Sequence, residues 1–139
     1  MNSTLQGFLD RATQSGRNLF FLDGSGALLS AFFLGVVLYQ LTPIFGMPQG
    51  TLQVLALLAC AFACYSWTCF FLVKEEWPSS LRVIMVVNIL YACLSLVLVY
   101  RHFTDLTILG VVYFVLELIV LAGVVYVEYY GIRKSAAQA

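Results

Sequence analysis

Four long apolar runs constrain the fold of this chain more than any other feature. They cover residues 19–41, 51–73, 83–100 and 106–127 and are 18 to 23 residues long, close to the roughly 20 that a helix needs to cross a bilayer. Charged residues make up only 10% of the chain, whereas soluble domains have about 25%. The sequence therefore predicts an all-α protein, a four-helix transmembrane bundle embedded in the lipid bilayer.

The connections between the runs are short, which leaves no room for a second domain. The last two runs are joined only by residues 101–105, so we expect them to form an antiparallel hairpin and the bundle to have up-down topology. We divide the chain into residues 1–18, a cytoplasmic tail or a short interfacial helix, residues 19–130, the transmembrane domain, and residues 131–139, a cytoplasmic tail.

The basic residues are distributed unevenly between the two ends of this predicted bundle. Only Arg101 flanks one end, and six basic residues flank the other: Arg11, Arg17, Lys74, Arg82, Arg133 and Lys134. Cytoplasmic loops of membrane proteins carry an excess of Lys and Arg. The sequence therefore predicts that both termini are cytoplasmic, an N-in/C-in orientation.

Glu117 is the most unusual residue, because it lies almost at the midpoint of the fourth run. A charge at the bilayer centre costs from about 3 to more than 10 kcal/mol, so such residues normally face a bundle interior or a wet cavity. Counting residues from the ends of the runs places several hydroxyl-bearing residues near its depth: Ser30, Tyr65, Tyr91 and Ser95. Two interpretations stay open, a neutral carboxyl held by hydrogen bonds and a carboxyl that exchanges a proton when a ligand binds.

A second acid, Asp23, lies about 6 Å inside the first run, counted at 1.5 Å per residue. It is either the N-cap of a helix that starts at Gly24 or part of a loosened helix end whose free carbonyls bind a ligand. Asn88 and Ser66 are polar candidates near this end of the bundle, and Glu128 is expected to reach the membrane surface. The predicted distance along the membrane normal between Asp23 and Glu117 is about 10 Å, too long for the two carboxyls to share one proton.

Small residues on the first two runs predict close helix packing. Such residues let neighbouring backbones approach each other in a membrane, and they recur at four-residue intervals at Ala27, Ala31 and Gly35, and at Ala56, Cys60 and Cys64. The same residues could pack against a second copy of the chain or another membrane protein. We expect the cysteines, which include Cys69 and Cys93, to be buried packing residues.

Several functional classes have no support in the sequence. The cysteine spacing contains no C-x-x-C pair, and His102 is the only histidine, which excludes bis-histidine haem ligation within one chain. No phosphate-binding loop, nucleophile elbow or metalloprotease motif is present. We therefore predict no metal, no cofactor, no catalytic residue and no nucleic-acid partner, and an enzyme is less expected than a non-enzyme.

A combination of short motifs resembles a family of small four-helix bacterial inner-membrane proteins to which no activity is assigned. The motifs cover nearly the whole chain: Asn18-Leu19-Phe20, Asp23-Gly24, Gly26-Ala27, Phe45-Gly46-Met47-Pro48, Tyr65-Ser66 with Cys69, Asn88 with Tyr91, Leu106-Thr107 with Gly110, Tyr113-Phe114 and Glu117. The resemblance implies the four-helix class and the inner membrane, but no function.

The preferred interpretation is a membrane protein whose polar, acidic interior binds a small ligand or a cation, with transport coupled to protonation of Glu117. The first alternative is a helix-packing subunit or a homo-oligomeric interaction protein, in which Glu117 only makes a buried hydrogen bond. A third and weaker interpretation is an intramembrane redox or quinone-binding protein.

Overall fold

The chain is all-helical, and the computed structural model describes residues 3–13, 16–73 and 75–138. Helices account for 90% of the structure, with no strand among the described residues. The α-helices are α1 (Ser3–Thr13), α2 (Gly16–Phe32), α3 (Thr42–Phe45), α4 (Gln49–Leu72), α5 (Trp77–Arg101) and α6 (Ile108–Gln138). A six-residue π-helical segment, Phe33–Leu38, continues α2 without a break.

Four helices are long and apolar enough to cross a membrane: Gly16–Leu38, Gln49–Leu72, Trp77–Arg101 and Ile108–Gln138. Each contains 23 to 31 residues and exceeds the hydrocarbon thickness of about 30 Å at 1.5 Å per residue. The all-α class and the four candidate membrane helices are confirmed. The arrangement fits an integral, multi-pass membrane protein.

The helices form two closely packed pairs, α2 with α4 and α5 with α6, which share fewer contacts with each other. Small residues allow the first pair to approach closely, since a Cβ added to Gly35 would lie 3.2 Å from the Ala56 Cβ. Ala59 and Ala63 complete the buried row on α4. The prediction that Cys60 and Cys64 form this row is wrong, because both are exposed.

The turn after the first membrane helix is fastened to the start of α6. The Thr107 backbone N donates to the Phe45 carbonyl at 3.1 Å. Gly46 has a φ of +85°, and an added Cβ there would collide with the Asp105 carbonyl. This junction explains why Phe45-Gly46 needs a glycine: it combines a left-handed backbone with a close approach of two chain segments.

Thr107 caps the start of α6. It immediately precedes Ile108, the first residue of that helix, and its Oγ1 accepts a hydrogen bond from the Gly110 backbone N at 3.2 Å.

Both ends of the chain beyond the apolar runs are helical where they are described. The short N-terminal helix predicted before the first run is present as α1, and its Asp10 pairs with Lys134 of α6 at 3.1 Å. The segment predicted as a C-terminal tail continues α6 as far as Gln138. The ion pair therefore joins the two terminal segments at one end of the bundle.

Candidate functional site

One buried acidic cluster joins the four long helices. The Ser66 hydroxyl of α4 donates to Asp23 Oδ2 of α2, and Asn88 Nδ2 of α5 donates to Asp23 Oδ1 at 2.6 Å. The same Asn88 nitrogen lies 3.3 and 3.4 Å from the two carboxyl oxygens of Glu128 on α6. We call Asp23, Ser66, Asn88 and Glu128 the four-helix cluster; Asp23 and Glu128 are 4% and 1% exposed.

Both predictions for the backbone at Asp23 are wrong. Because α2 begins at Gly16, Asp23 is neither an N-cap nor part of a loosened helix end. Gly24 instead brings α4 close, since an added Cβ would lie 2.9 Å from Trp67 Nε1. The glycine beside Asp23 therefore helps Ser66 to reach the carboxyl.

Glu128 belongs to the four-helix cluster, but it was not among the site residues predicted from the sequence. It was expected to reach the membrane surface, but its side chain points inward to Asn88. Two features of the sequence could have identified Glu128 as a site residue. Its depth in the bundle is near that of Asp23 and Asn88, and the Asn88 amide can donate hydrogen bonds to two acids.

The second acidic site is centred on Glu117 of α6. Its Oε1 accepts a hydrogen bond from the Tyr91 hydroxyl of α5 at 3.3 Å, and the Ser30 hydroxyl of α2 also faces the carboxyl. Glu117 is 8% exposed, and its Oε2 is buried without a hydrogen-bond partner among the described residues. The carboxyl thus lies between helices, with one oxygen unused.

Two other residues predicted near Glu117 do not bond to its carboxyl. Ser95 is fully buried, and its Oγ has no hydrogen-bond partner of normal geometry in the described part of the chain. Tyr65 is 41% exposed and lines a separate small cavity beside Ser66 and Asn88. Tyr65 therefore belongs to the surroundings of the four-helix cluster.

A cavity of about 320 Å³ connects the two acidic sites. Asp23 and Asn88 line it together with Ser30, Tyr91 and Glu117. The remaining walls are almost entirely apolar, and no basic side chain is among the described residues that line it. We call this space the acidic cavity.

Aromatic rings and an opening shape the acidic cavity. Four of its lining residues form two ring pairs, Phe33 with Tyr113 at 6.3 Å and Phe62 with Tyr91 at 5.7 Å between centroids. Three further lining residues are largely exposed on the outer surface of α2 and α6: Leu29, Leu116 and Val120. The cavity therefore opens sideways between α2 and α6, on a surface that would face lipid.

The cysteines do not form a reactive cluster. Cys69 is buried, but Cys60, Cys64 and Cys93 are exposed, so the prediction that all four are buried is wrong. Among the described residues, no group of three or more His, Cys, Asp or Glu side chains has the arrangement of a metal site.

Comparisons with protein-family models, with curated proteins and with solved structures find no significant match to this chain. The resemblance to a family of small four-helix membrane proteins therefore stays a prediction.

Proposed function

We propose that this protein is a membrane transporter that binds a small ligand or a cation in the acidic cavity, with binding coupled to protonation of Glu117. One observation supports the proposal most directly: Glu117 Oε2 is buried at the cavity without a hydrogen-bond partner in the described residues. An unsatisfied buried acceptor costs about 1 to 3 kcal/mol. A ligand that donates a hydrogen bond to this oxygen would remove that cost, and protonation would remove the buried negative charge.

The four-helix cluster supplies a second acidic layer to the proposed pathway. Asp23 and Asn88 line the same cavity as Glu117, so a cation bound at Glu117 has a second acidic group within the same space. Asp23 and Glu128 are also close enough to interact directly, and two such carboxyls can hold one proton between them. This arrangement suits a protein that exchanges protons for another cation.

The proposed orientation has up-down topology, both termini in the cytoplasm and the bacterial inner membrane as the location. It rests on the excess of basic residues at one end of the bundle. A variant without the four native cysteines allows a direct test with a membrane-impermeant maleimide. Thr104→Cys should react in intact cells, whereas Glu75→Cys should react only after the membrane is opened; the opposite result contradicts the orientation.

Proton-coupled flux tests the proposed activity. The protein is reconstituted in proteoliposomes with the pH dye pyranine inside. Addition of Na⁺, K⁺ or the permanently charged trimethyl(1-naphthylmethyl)ammonium outside should release protons from the lumen. Glu117→Gln should abolish the response, because an amide cannot exchange a proton. Glu75→Gln, at an exposed acid outside the helices, is the matched control.

Two outcomes would contradict a transport function. The wild-type protein could give no flux with any of these cations, or the flux could persist in both Glu117→Gln and Glu117→Ala. Persistence would favour the alternative, a helix-packing or homo-oligomeric interaction protein in which the carboxyl is structural. That alternative needs a surface other than Gly35 and Ala56, because these two residues meet within one chain.

A further inference from the structure

We propose that the ligand of the acidic cavity is an amphipathic organic amine, which binds Glu117 through a protonated nitrogen and reaches the cavity from the lipid. This inference rests on the proposed function, in that it takes the acidic cavity as the binding site. It adds the chemical class of the ligand and its route.

The polar end of such a ligand follows from the Glu117 carboxyl. Its Oε1 already accepts from Tyr91. The Ser30 hydroxyl faces the carboxyl, but no donor among the described residues meets Oε2 with normal hydrogen-bond geometry. A protonated amine supplies both the missing N–H donor and the opposite charge, and charge-assisted hydrogen bonds are shorter and stronger than neutral ones. A neutral ligand could satisfy only the first requirement.

The apolar end follows from the size and the walls of the cavity. A volume of about 320 Å³ corresponds to about ten water molecules at roughly 30 Å³ each, far more than one dehydrated metal ion needs. The walls present aromatic rings from Phe33, Phe62, Tyr91 and Tyr113, and cations bind favourably to ring faces within about 6 Å. Such walls can hold an organic cation along their apolar length, whereas an inorganic cation could use only the oxygens at the two acidic sites.

The route follows from the opening between α2 and α6. Leu29, Leu116 and Val120 line the cavity and are also exposed at its rim. Amphipathic amines concentrate at membranes because their apolar part enters the lipid while the charged group stays near water. Their apolar part therefore reaches the lipid-facing surface on which the cavity opens.

Fluorescence binding in lipid nanodiscs tests the ligand class with three naphthalene compounds of nearly equal shape. N,N-dimethyl-1-naphthylmethylamine is protonated at neutral pH and carries one N–H donor, trimethyl(1-naphthylmethyl)ammonium has the charge without the donor, and 1-neopentylnaphthalene has neither. We expect affinity to decrease in that order, measured against empty nanodiscs to subtract partition into lipid. The loss from the first compound to the third should be at least about tenfold, as for a charge-assisted hydrogen bond.

Variants assign the binding to the acidic cavity. Glu117→Gln should weaken the tertiary amine by at least about tenfold and reduce the preference over the neutral compound, whereas Glu75→Gln should leave both unchanged. Val120→Trp should slow association by narrowing the opening. Val115→Trp is its control, because Val115 is also exposed on α6, at 48% against 62% for Val120, but does not line the cavity.

Equal affinity for the charged and neutral compounds would overturn the amine proposal, as would Glu117-dependent flux of Na⁺ or K⁺ without binding of any naphthyl cation. The second result would leave the proposed transport function intact and replace only its substrate class. Displacement of the amine by a neutral quinone at similar concentration would also contradict the proposal. If Glu117→Gln does not fold, the order of the three compounds on the wild-type protein still decides.

Discussion

The four-helix cluster and the Glu117 site both hold an acidic side chain inside a membrane helix, but they bind its carboxyl oxygens differently. In the cluster, both oxygens of Asp23 accept hydrogen bonds from other helices, and the two oxygens of Glu128 share the one Asn88 nitrogen at 3.3 and 3.4 Å. At Glu117, one oxygen has a donor at 3.3 Å and the other has none among the described residues. The comparison separates an acid that fastens helices together from an acid that is available to a ligand.

The position of each site relative to the two helix pairs explains this difference. Asp23 and Ser66 come from the α2–α4 pair and Asn88 and Glu128 from the α5–α6 pair, so the cluster bridges the two pairs, which contact each other less than the helices within each pair do. Glu117 and its donor Tyr91 belong to the same pair, and the acidic cavity lies between them and α2. The bundle is therefore closed by polar bonds at one level and left open at the other.

The largest expected effect is the loss of the donor that both acids of the cluster use. Asn88→Leu keeps the volume but leaves Asp23 and Glu128 without their shared N–H group, which should lower the free energy of unfolding by about 3 to 5 kcal/mol. Unfolding in mixed detergent and SDS micelles measures this. Asn18→Leu removes an exposed amide bonded to the Arg11 carbonyl and should cost less than about 1 kcal/mol; equal losses would contradict the bridging role.

An intermediate effect on the free energy of unfolding is expected when each acid is replaced by its amide, and its size should differ between the two acids. Asp23→Asn can keep its carbonyl on Asn88 only if its NH₂ faces Ser66, whose hydroxyl must then accept instead of donate. Because the change also removes the charge that strengthens both bonds, it should cost about 1 to 3 kcal/mol. Glu117→Gln can keep its carbonyl on Tyr91 and put the NH₂ at the Oε2 position, which has no hydrogen bond of normal geometry within the described ranges, so it should cost less than about 1 kcal/mol. The same unfolding assay decides, and a greater loss for Glu117→Gln would reverse the comparison.

The smallest effect concerns the single long hydrogen bond to Glu117. Tyr91→Phe removes its donor at 3.3 Å and should lower the free energy of unfolding by about 0.5 to 1.5 kcal/mol. Tyr126→Phe, at a tyrosine that is 58% exposed, should change it by less than about 0.5 kcal/mol. A loss from Tyr91→Phe as large as that from Asn88→Leu would show that the Glu117 site also fastens the bundle.

The number of helices and the depth of the polar residues could be predicted from the sequence because both follow from the rise per residue and the bilayer thickness. Depth alone grouped Asp23 with Asn88, and Glu117 with Ser30, Tyr65, Tyr91 and Ser95. The structure gives the two acids different partners, but Tyr65 and Ser95 do not bond to Glu117. Depth therefore selected the level of each acid but not all of its partners.

The depth of a residue does not show which face of a helix points into the bundle or which way a side chain near a helix end turns. Adjacent rows of small residues on α4 differ by about 100° around the axis, and both rows suit close packing, so composition could not choose Ala59 and Ala63 over Cys60 and Cys64. Glu128 lies at a depth where its side chain can turn either to the membrane surface or into the bundle. It turns inward because Asn88 is in reach of its carboxyl.

In the first membrane helix, the π-helical segment Phe33–Leu38 decides which way the residues that follow Ser30 face. A π turn takes up more residues than an α turn, and an α-helix advances by about 100° per residue. If these six residues were wound as regular α-helix, Leu38 would swing out of the core by about that angle relative to Ser30. The fit of Phe33 against the cavity and of Leu38 in the core thus depends on one supernumerary residue, which keeps the two halves of the helix in phase.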